Sequence, residues 1–477
     1  MALLALVPLA YVAGYVVLIG PVELVQLLAR PRIVELLRNT VTLAAACMVA
    51  TAVLGVALAF LVERTDVAGR RLWHGLLVAP LAVPAFVNGY AWVSLDRTVH
   101  GFGGAFGVVT LSYFPLVYLP VVAVLRRLDP ALEESAWSLG HSRVRAFATV
   151  VLPQLRPALL GGALLVGLHL LAEFGALSLL RFPTFTTAIY DQYGSTFNGS
   201  AATAMAGVLV LLCLVLLLAE LRLRGDRRYA RLGRGAARTS VPLPLGRWRW
   251  AAAAFPGAVV ALALGVPAFS LVRWLVAGTS TEFPLDELTA ALVTTVALAI
   301  AGAVVTTLAA VPVVWLAVRH RGLASTLVER STYVANALPG IVVGLALVVA
   351  SLRLAPVVYQ TAALLVAAYA ILFLPRAVVT VRAGLEQAPA VLDDVAHSLG
   401  AGAALVFLAI STELTATLML SPIGTRTLAT EFWSASSELR YGAAAPYALL
   451  LVLVSIPATV LLMRTDSPAT QTEKVPA

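Results

Sequence analysis

Long apolar runs, cut by short clusters of arginine, glycine and proline, set the plan of this chain. A helix needs about 20 apolar residues to cross a bilayer core. Such runs recur at 2–20, 40–62, 74–94, 106–125, 158–180, 202–221, 250–275, 288–317, 330–350, 356–380, 402–420 and 442–463. The pattern predicts an all-α polytopic membrane protein with about twelve transmembrane helices. No basic stretch precedes residues 2–20 and no small-residue cleavage site follows them, so this run is read as a retained helix rather than a signal peptide. Its abrupt apolar start suggests a shortened N-terminus.

Composition supports the pattern. The 477 residues are 60% hydrophobic and 12% charged, whereas soluble domains carry about 25% charged residues. A soluble fold cannot hide that much apolar surface. The net charge of +9 would suit a nucleic-acid binder, but its distribution argues otherwise. With both termini inside the cell, most of the arginines fall on the inner side, Arg376 counted among them, and 222–249 is the richest stretch. The positive-inside rule accounts for this, and contact with anionic lipid is the lesser alternative. Cys47 and Cys213 lie inside predicted spans as small apolar fillers. Lys474 is the only lysine, so no GxxxxGK nucleotide loop exists. The histidines are scattered, no HExxH occurs and no metal site is expected.

The chain repeats itself. Thr40, Pro84 and Gly89 align with Thr295, Pro339 and Gly344 without a gap, and Pro115 through Gly140 align with Pro375 through Gly400. Six spans in each half make the copies parallel rather than inverted. Residues 1–235 are expected to form the first repeat and 236–477 the second, joined through the linker 222–249. After Gly140 and Gly400 the copies diverge. The stretch from Gly140 to Gly162 has no counterpart between Gly400 and Gly402.

A polar phrase recurs in both copies. The first reads Leu132-Glu133-Glu134-Ser135-Ala136-Trp137-Ser138-Leu139-Gly140 and the second Leu392-Asp393-Asp394-Val395-Ala396-His397-Ser398-Leu399-Gly400. Asp129-Pro130 suits a helix start. Glu133 and Glu134 sit where the helix dipole favours acids, and Gly140 permits a turn. A second amphipathic segment through Val144, Phe147 and Val151 follows, ending in Leu152-Pro153. The predicted product is a helix–turn–helix bracket over 128–157, with a truncated version over 389–401.

The run Glu134-Ser135-Ala136, then Gly140, then Val150-x-Leu152-Pro153 resembles the EAA loop of permease subunits in binding-protein-dependent ABC importers, with Ser for the central Ala and Val for Ile. Its occurrence twice, at matching places, resembles the fused double permeases of iron(III) and thiamine uptake. Tyr113-Phe114-Pro115 and Thr412-Glu413-Leu414-Thr415-Ala416-Thr417 lean toward the iron(III) group. The resemblance implies the type I importer permease fold in a bacterial cytoplasmic membrane. It implies that Glu133, Glu134, Ser135, Ala136, Gly140, Leu152 and Pro153 couple to a cytoplasmic ATPase dimer, with Asp393, Asp394, Ala396 and Gly400 in the second, shortened loop. It further implies an extracytoplasmic solute-binding protein or lipoprotein, no cofactor on this chain and ATP on the partner subunits.

Charges inside spans are costly and are usually functional or paired. Glu173 and Glu413 occupy matching places, and His169 lies one helical turn before Glu173. Together with Asn88 they are candidates for lining a translocation path. A polar clamp between helices is the competing reading, and both stay open on the sequence. The outer loops 181–200 and 421–441 could meet the binding protein, or serve as aromatic belts. Permeases for thiamine, polyamine or another small solute, a 6+6 secondary transporter and a membrane enzyme are the alternatives. The last lacks any catalytic cluster.

Overall fold

The computed structural model describes residues 2–194, 199–224, 242–278, 281–319, 338–387 and 392–465. The first half holds α1 (Ala2–Leu28), α2 (Pro31–Arg64), α3 (Arg70–Val78), α4 (Ala85–Leu95), α5 (Gly101–Tyr113), α6 (Pro115–Arg127), α7 (Pro130–Ser138), α8 (Arg143–Ala146), α9 (Leu152–Ala172), α10 (Gly175–Leu179), α11 (Phe185–Gly194) and α12 (Gly199–Arg224). The second holds α13 (Gly246–Ala277, with one 3-10 and one π turn), α14 (Leu285–Arg319), α15 (Gly340–Leu354), α16 (Ala362–Gln387), α17 (Leu392–Ser411), α18 (Thr415–Leu420), α19 (Leu428–Ser437) and α20 (Tyr441–Thr465). Most of the linker, the start of the run 330–350 and residues 389–391 of the second loop lie outside the described residues.

Among the described residues seven helices are long and apolar enough to cross a membrane, or eight if one bent pair counts as a single span. Of the expected runs not counted, 74–94 and 402–420 are broken and 330–350 is described only in part. The run 74–94 bends by 92° between Arg70–Ala82 and Ala85–Leu95. Pro84 sits at that bend, with Val83 held extended before it, as a residue preceding proline prefers. The runs 158–180 and 402–420 are not continuous helices either. α9 stops at Ala172 and α17 at Ser411, and the short α10 and α18 follow.

Small residues bring the helices close. A Cβ on Gly162 of α9 would lie 2.8 Å from the Val117 Cα of α6, and one on Gly55 of α2 would lie 3.1 Å from Val117 and Tyr118. The short helices are seated the same way in both halves. A Cβ on Gly89 would stand 3.3 Å from Ala176 in α10, and one on Gly344 would stand 3.2 Å from Met419 in α18.

The halves are joined by an aromatic core. Phe86 and Tyr90 of α4 each lie 5.3 Å from the Phe432 ring, and Phe174 lies 4.8 Å from Trp433. Tyr90 donates to the Tyr441 carbonyl at 2.6 Å, and the Ser94 and Ser270 hydroxyls meet at 2.9 Å. The opening helix α1 contacts both α12 of its own half and α15 of the other.

Candidate functional site

Two regions carry the chemistry: a polar bracket outside the spans and a cleft where the spans break.

The bracket is built from its caps. Asp129 accepts from the Ala131 amide at 3.0 Å, and Pro130 opens α7. The helix closes on Gly140, whose φ of 84° is a conformation that costs other residues energy. The Gly140 amide reaches the Trp137 carbonyl at 2.9 Å and the His141 amide reaches Ala136 at 3.1 Å. Ser142 then caps α8, and Phe147 stacks edge-on against Phe60 of α2 at 4.8 Å.

The predicted coupling residues divide by direction. Glu134 and Ser135 face outward, and Ser135 returns its hydroxyl to the Ala131 carbonyl. Glu133 and Ala136 face inward. The Glu133 carboxylate meets the Arg64 guanidinium at 3.1 Å, both nearly buried. Burial pushes the Glu133 carboxyl above its ordinary value; Arg64 pulls it back and Glu134 adds to the push. Leu152 is exposed and Pro153 stands in the first turn of α9. The sequence reading overlooked the apolar outer face: Leu132, Trp137 and Leu139 are all exposed, Leu139 at 78%. Arg143 sits over the Trp137 ring at 6.0 Å. Three large apolar residues in a nine-residue polar phrase were the available signal.

The second copy differs. Asp393, Asp394 and Ala396 lie in the first turns of α17, and Gly400 lies within that helix rather than at a turn. Its side chains at 393–396 lie outside the described residues. With the distal arm gone, α17 continues from the polar phrase into the apolar run.

At the cleft, both breaks are made alike. The Glu173 carboxylate accepts from the Ala176 amide at 2.9 Å, and Glu413 accepts from the Ala416 amide at 3.0 Å. Each glutamate thereby satisfies an orphan N–H of the short helix behind it. Thr186 and Thr417 bind the two glutamates' own carbonyls. Tyr113 donates to the other oxygen of Glu173 at 2.6 Å.

Arg376 joins the two halves here. Its guanidinium lies 3.3 Å from the His169 Nε2, while His169 Nδ1 meets the Leu165 carbonyl at 2.8 Å. A carbonyl only accepts, so Nδ1 carries the hydrogen; a guanidinium only donates, so Nε2 presents its lone pair. His169 in this arrangement is neutral. Arg376 also lies near enough to Glu413 to interact with its charge. These groups are surrounded by helices, yet Glu173, His169 and Glu413 keep partial solvent access and Arg376 is exposed. Deep charges with open surface line a cleft. A further cavity of about 10 Å³, roughly the room for one water, adjoins Glu413 and is lined by Thr295, Tyr369, Ser411, Thr417 and Thr427.

One expectation needs correction. Asn88 is 1% exposed and donates to Ser112 at 2.7 Å; it ties α4 to α5 and does not face the cleft. Arg376 lies where the expected span 356–380 puts it. It is within the apolar span Ala362–Arg382, where the Glu413 carboxylate and the His169 imidazole offset its cost.

A helical bundle of broken spans around a charged cleft, with a capped bracket projecting from it, defines a multi-pass membrane permease. The sequence pattern described as the inner membrane component of binding-protein-dependent transport systems matches residues 51–228. The chain is 39% identical over 471 residues to the Fe(3+)-transport system permease protein FbpB 2 of Haemophilus influenzae, covering 94% of this chain and 93% of that protein. It is 31% identical over 213 residues to the sulfate transport permease CysT of Salmonella typhimurium, covering 40% of this chain and 76% of the other. It is 26% identical over 234 residues to the ferric transport permease FbpB of Actinobacillus pleuropneumoniae, covering 44% and 34%. The chain belongs to the inner membrane permeases of binding-protein-dependent ABC importers.

Proposed function

We propose that this permease passes ferric iron, delivered by an extracytoplasmic binding protein, and is driven by separate ATPase subunits. The observation that carries the cargo is the likeness, over almost the whole chain, to a relative described as an Fe(3+)-transport permease. The cleft chemistry agrees, because hard cations favour carboxylate oxygens and Glu173 and Glu413 both keep solvent access. On this reading 1–235 and 236–477 are two copies of one permease unit, and His169, Arg376 and the two glutamates line the path.

The ATPase docks on α7 through Leu132, Trp137 and Leu139, with Glu134 and Ser135 at the rim. The second loop, continuous with α17, offers a smaller seat, so the two ATPase subunits engage unequally. The outer loops 181–200 and 421–441 receive the binding protein. ATP resides on the partners, since this sequence has no GxxxxGK. Reversing an equilibrium between inward- and outward-open states takes about 5.5 kcal/mol of differential binding, which the partners supply.

The test is uptake into proteoliposomes holding this chain with its ATPase and binding protein. Radioactive ferric iron should accumulate only with ATP and binding protein present. Uptake of thiamine, a polyamine or sulfate instead of iron would overturn the cargo. Uptake driven by a proton gradient without ATP would overturn the class of transport.

A further inference from the structure

We propose that α2 is the rod linking the docking bracket to the cleft, and that Arg64 is the positioning residue at its lower joint. This rests on the reading that α7 docks an ATPase. α2 runs unbroken from Pro31 to Arg64. At its lower end Arg64 meets Glu133 of the docking helix at 3.1 Å and donates to the Leu125 carbonyl of α6 at 3.4 Å. Next to it, Glu63 holds Arg126 at 2.7 Å.

The upper end is tied equally firmly. The Asn39 amide donates to the Pro183 carbonyl at 3.2 Å, and the Thr40 hydroxyl accepts from the Phe185 amide at 3.3 Å. One residue on, the Thr186 hydroxyl binds the Glu173 carbonyl at 2.7 Å. Thr40 and Arg64 are thus about 36 Å apart along the helix, at 1.5 Å per residue. A displacement of α7 reaches the break at Glu173 through one rigid element.

A buried ion pair is a poor source of stability but a good fixer of geometry. Arg64 fits that description, since its Nε is buried with no hydrogen-bond partner among the described residues. The sequence repeats the design. In the register that pairs Thr40 with Thr295, Arg64 falls on Arg319. In the register that pairs Pro115 with Pro375, Glu133 falls on Asp393. The upper joint recurs in the structure, where the Thr295 hydroxyl accepts from the Leu428 amide at 2.9 Å.

The test is a double-mutant cycle read as iron moved per ATP hydrolysed, in proteoliposomes holding the full complex. Glu133→Gln and Thr40→Val each break one joint. Each should lower the ratio about fivefold while the ATPase still co-purifies. Distant independent sites act additively in free energy, so unconnected joints would multiply to about 25-fold. A rod already broken at one end loses little more at the other, and the double variant should remain near fivefold. A multiplied loss, or single variants with the wild-type ratio, would overturn the proposal. Should a variant fail to fold, hydrogen exchange on the wild-type complex decides. On ATP addition, protection at 60–64, 130–138 and 183–186 should change together, and independent changes refute the rod. If no ATPase co-purifies with the wild type, the docking reading itself has failed.

Discussion

Replacing Glu173 and Glu413 together by glutamine separates a path from a clamp. Each carboxylate caps a short helix by accepting an amide, and Glu173 also accepts the Tyr113 hydroxyl. Glutamine keeps a carbonyl oxygen for the amide. Tyr113 can turn its hydroxyl to accept from the new NH2. A hydrogen bond to a charged group contributes about 1.5–3 kcal/mol and a neutral one about 0.5–1.5. The difference is about 1 kcal/mol per bond, or about 3 kcal/mol over these three. Alanine is worse, because it strands the donors at about 1–3 kcal/mol each. The glutamine pair should therefore assemble with a modestly lower melting temperature, and the alanine pair should assemble poorly.

The cargo reading adds a second effect. If the two charges meet the cation, the glutamine pair should lose at least tenfold in ferric iron uptake per assembled complex, equivalent to about 1.4 kcal/mol. Melting in detergent gives the structural cost, and radioactive uptake normalised to co-purified ATPase gives the functional one. Wild-type uptake by a correctly assembled glutamine pair would leave the carboxylates as helix caps alone and refute the path.

Three further outcomes follow from local geometry. Gly140→Ala and Gly400→Ala should act with opposite signs: alanine at the φ of 84° of Gly140 costs about 1–2 kcal/mol. Inside α17, where nothing lies within 4 Å of a Cβ on Gly400, alanine should add about 0.5–1 kcal/mol, and melting shifts of the same sign would contradict the two conformations. Gly162→Ala sets a methyl 2.8 Å from the Val117 Cα and 2.9 Å from the Leu116 carbonyl oxygen, which forces α6 and α9 apart at about 1–3 kcal/mol; an unchanged melting temperature would show that the contact is looser than this. Glu133, raised by burial, binds its proton more tightly folded than unfolded, so its contribution is complete below the unfolded value and is lost as pH rises through the raised one. The wild type should therefore lose stability relative to Glu133→Gln as pH rises above the ordinary glutamate value of about 4, and parallel melting curves would reject that sign.

What the sequence disclosed and what it hid follow from one distinction. Apolar runs, caps and turns are local, so the spans, the Asp129-Pro130 start and the Gly140 turn were legible residue by residue. The breaks at Glu173 and Glu413 were legible as charges but not as helix ends, because Phe174–Leu180 and Leu414–Leu420 continue the oil on the far side and a hydropathy window averages across them. Asn88 looked like a path residue, since an amide in a span is costly wherever it points; only the Ser112 hydroxyl 24 positions away takes up its NH2 group. Arg376 was legible as a charge within the span 356–380, but what it meets there was not. Its neighbours, His169 and Glu413, are remote in sequence. For Asn88, Glu173 and Arg376 the explanation is a partner side chain, and that partner comes from another helix. The cleft therefore becomes visible only when the two halves are brought together, and a test that perturbs one partner at a time, with assembly measured beside transport, is the one that can assign it.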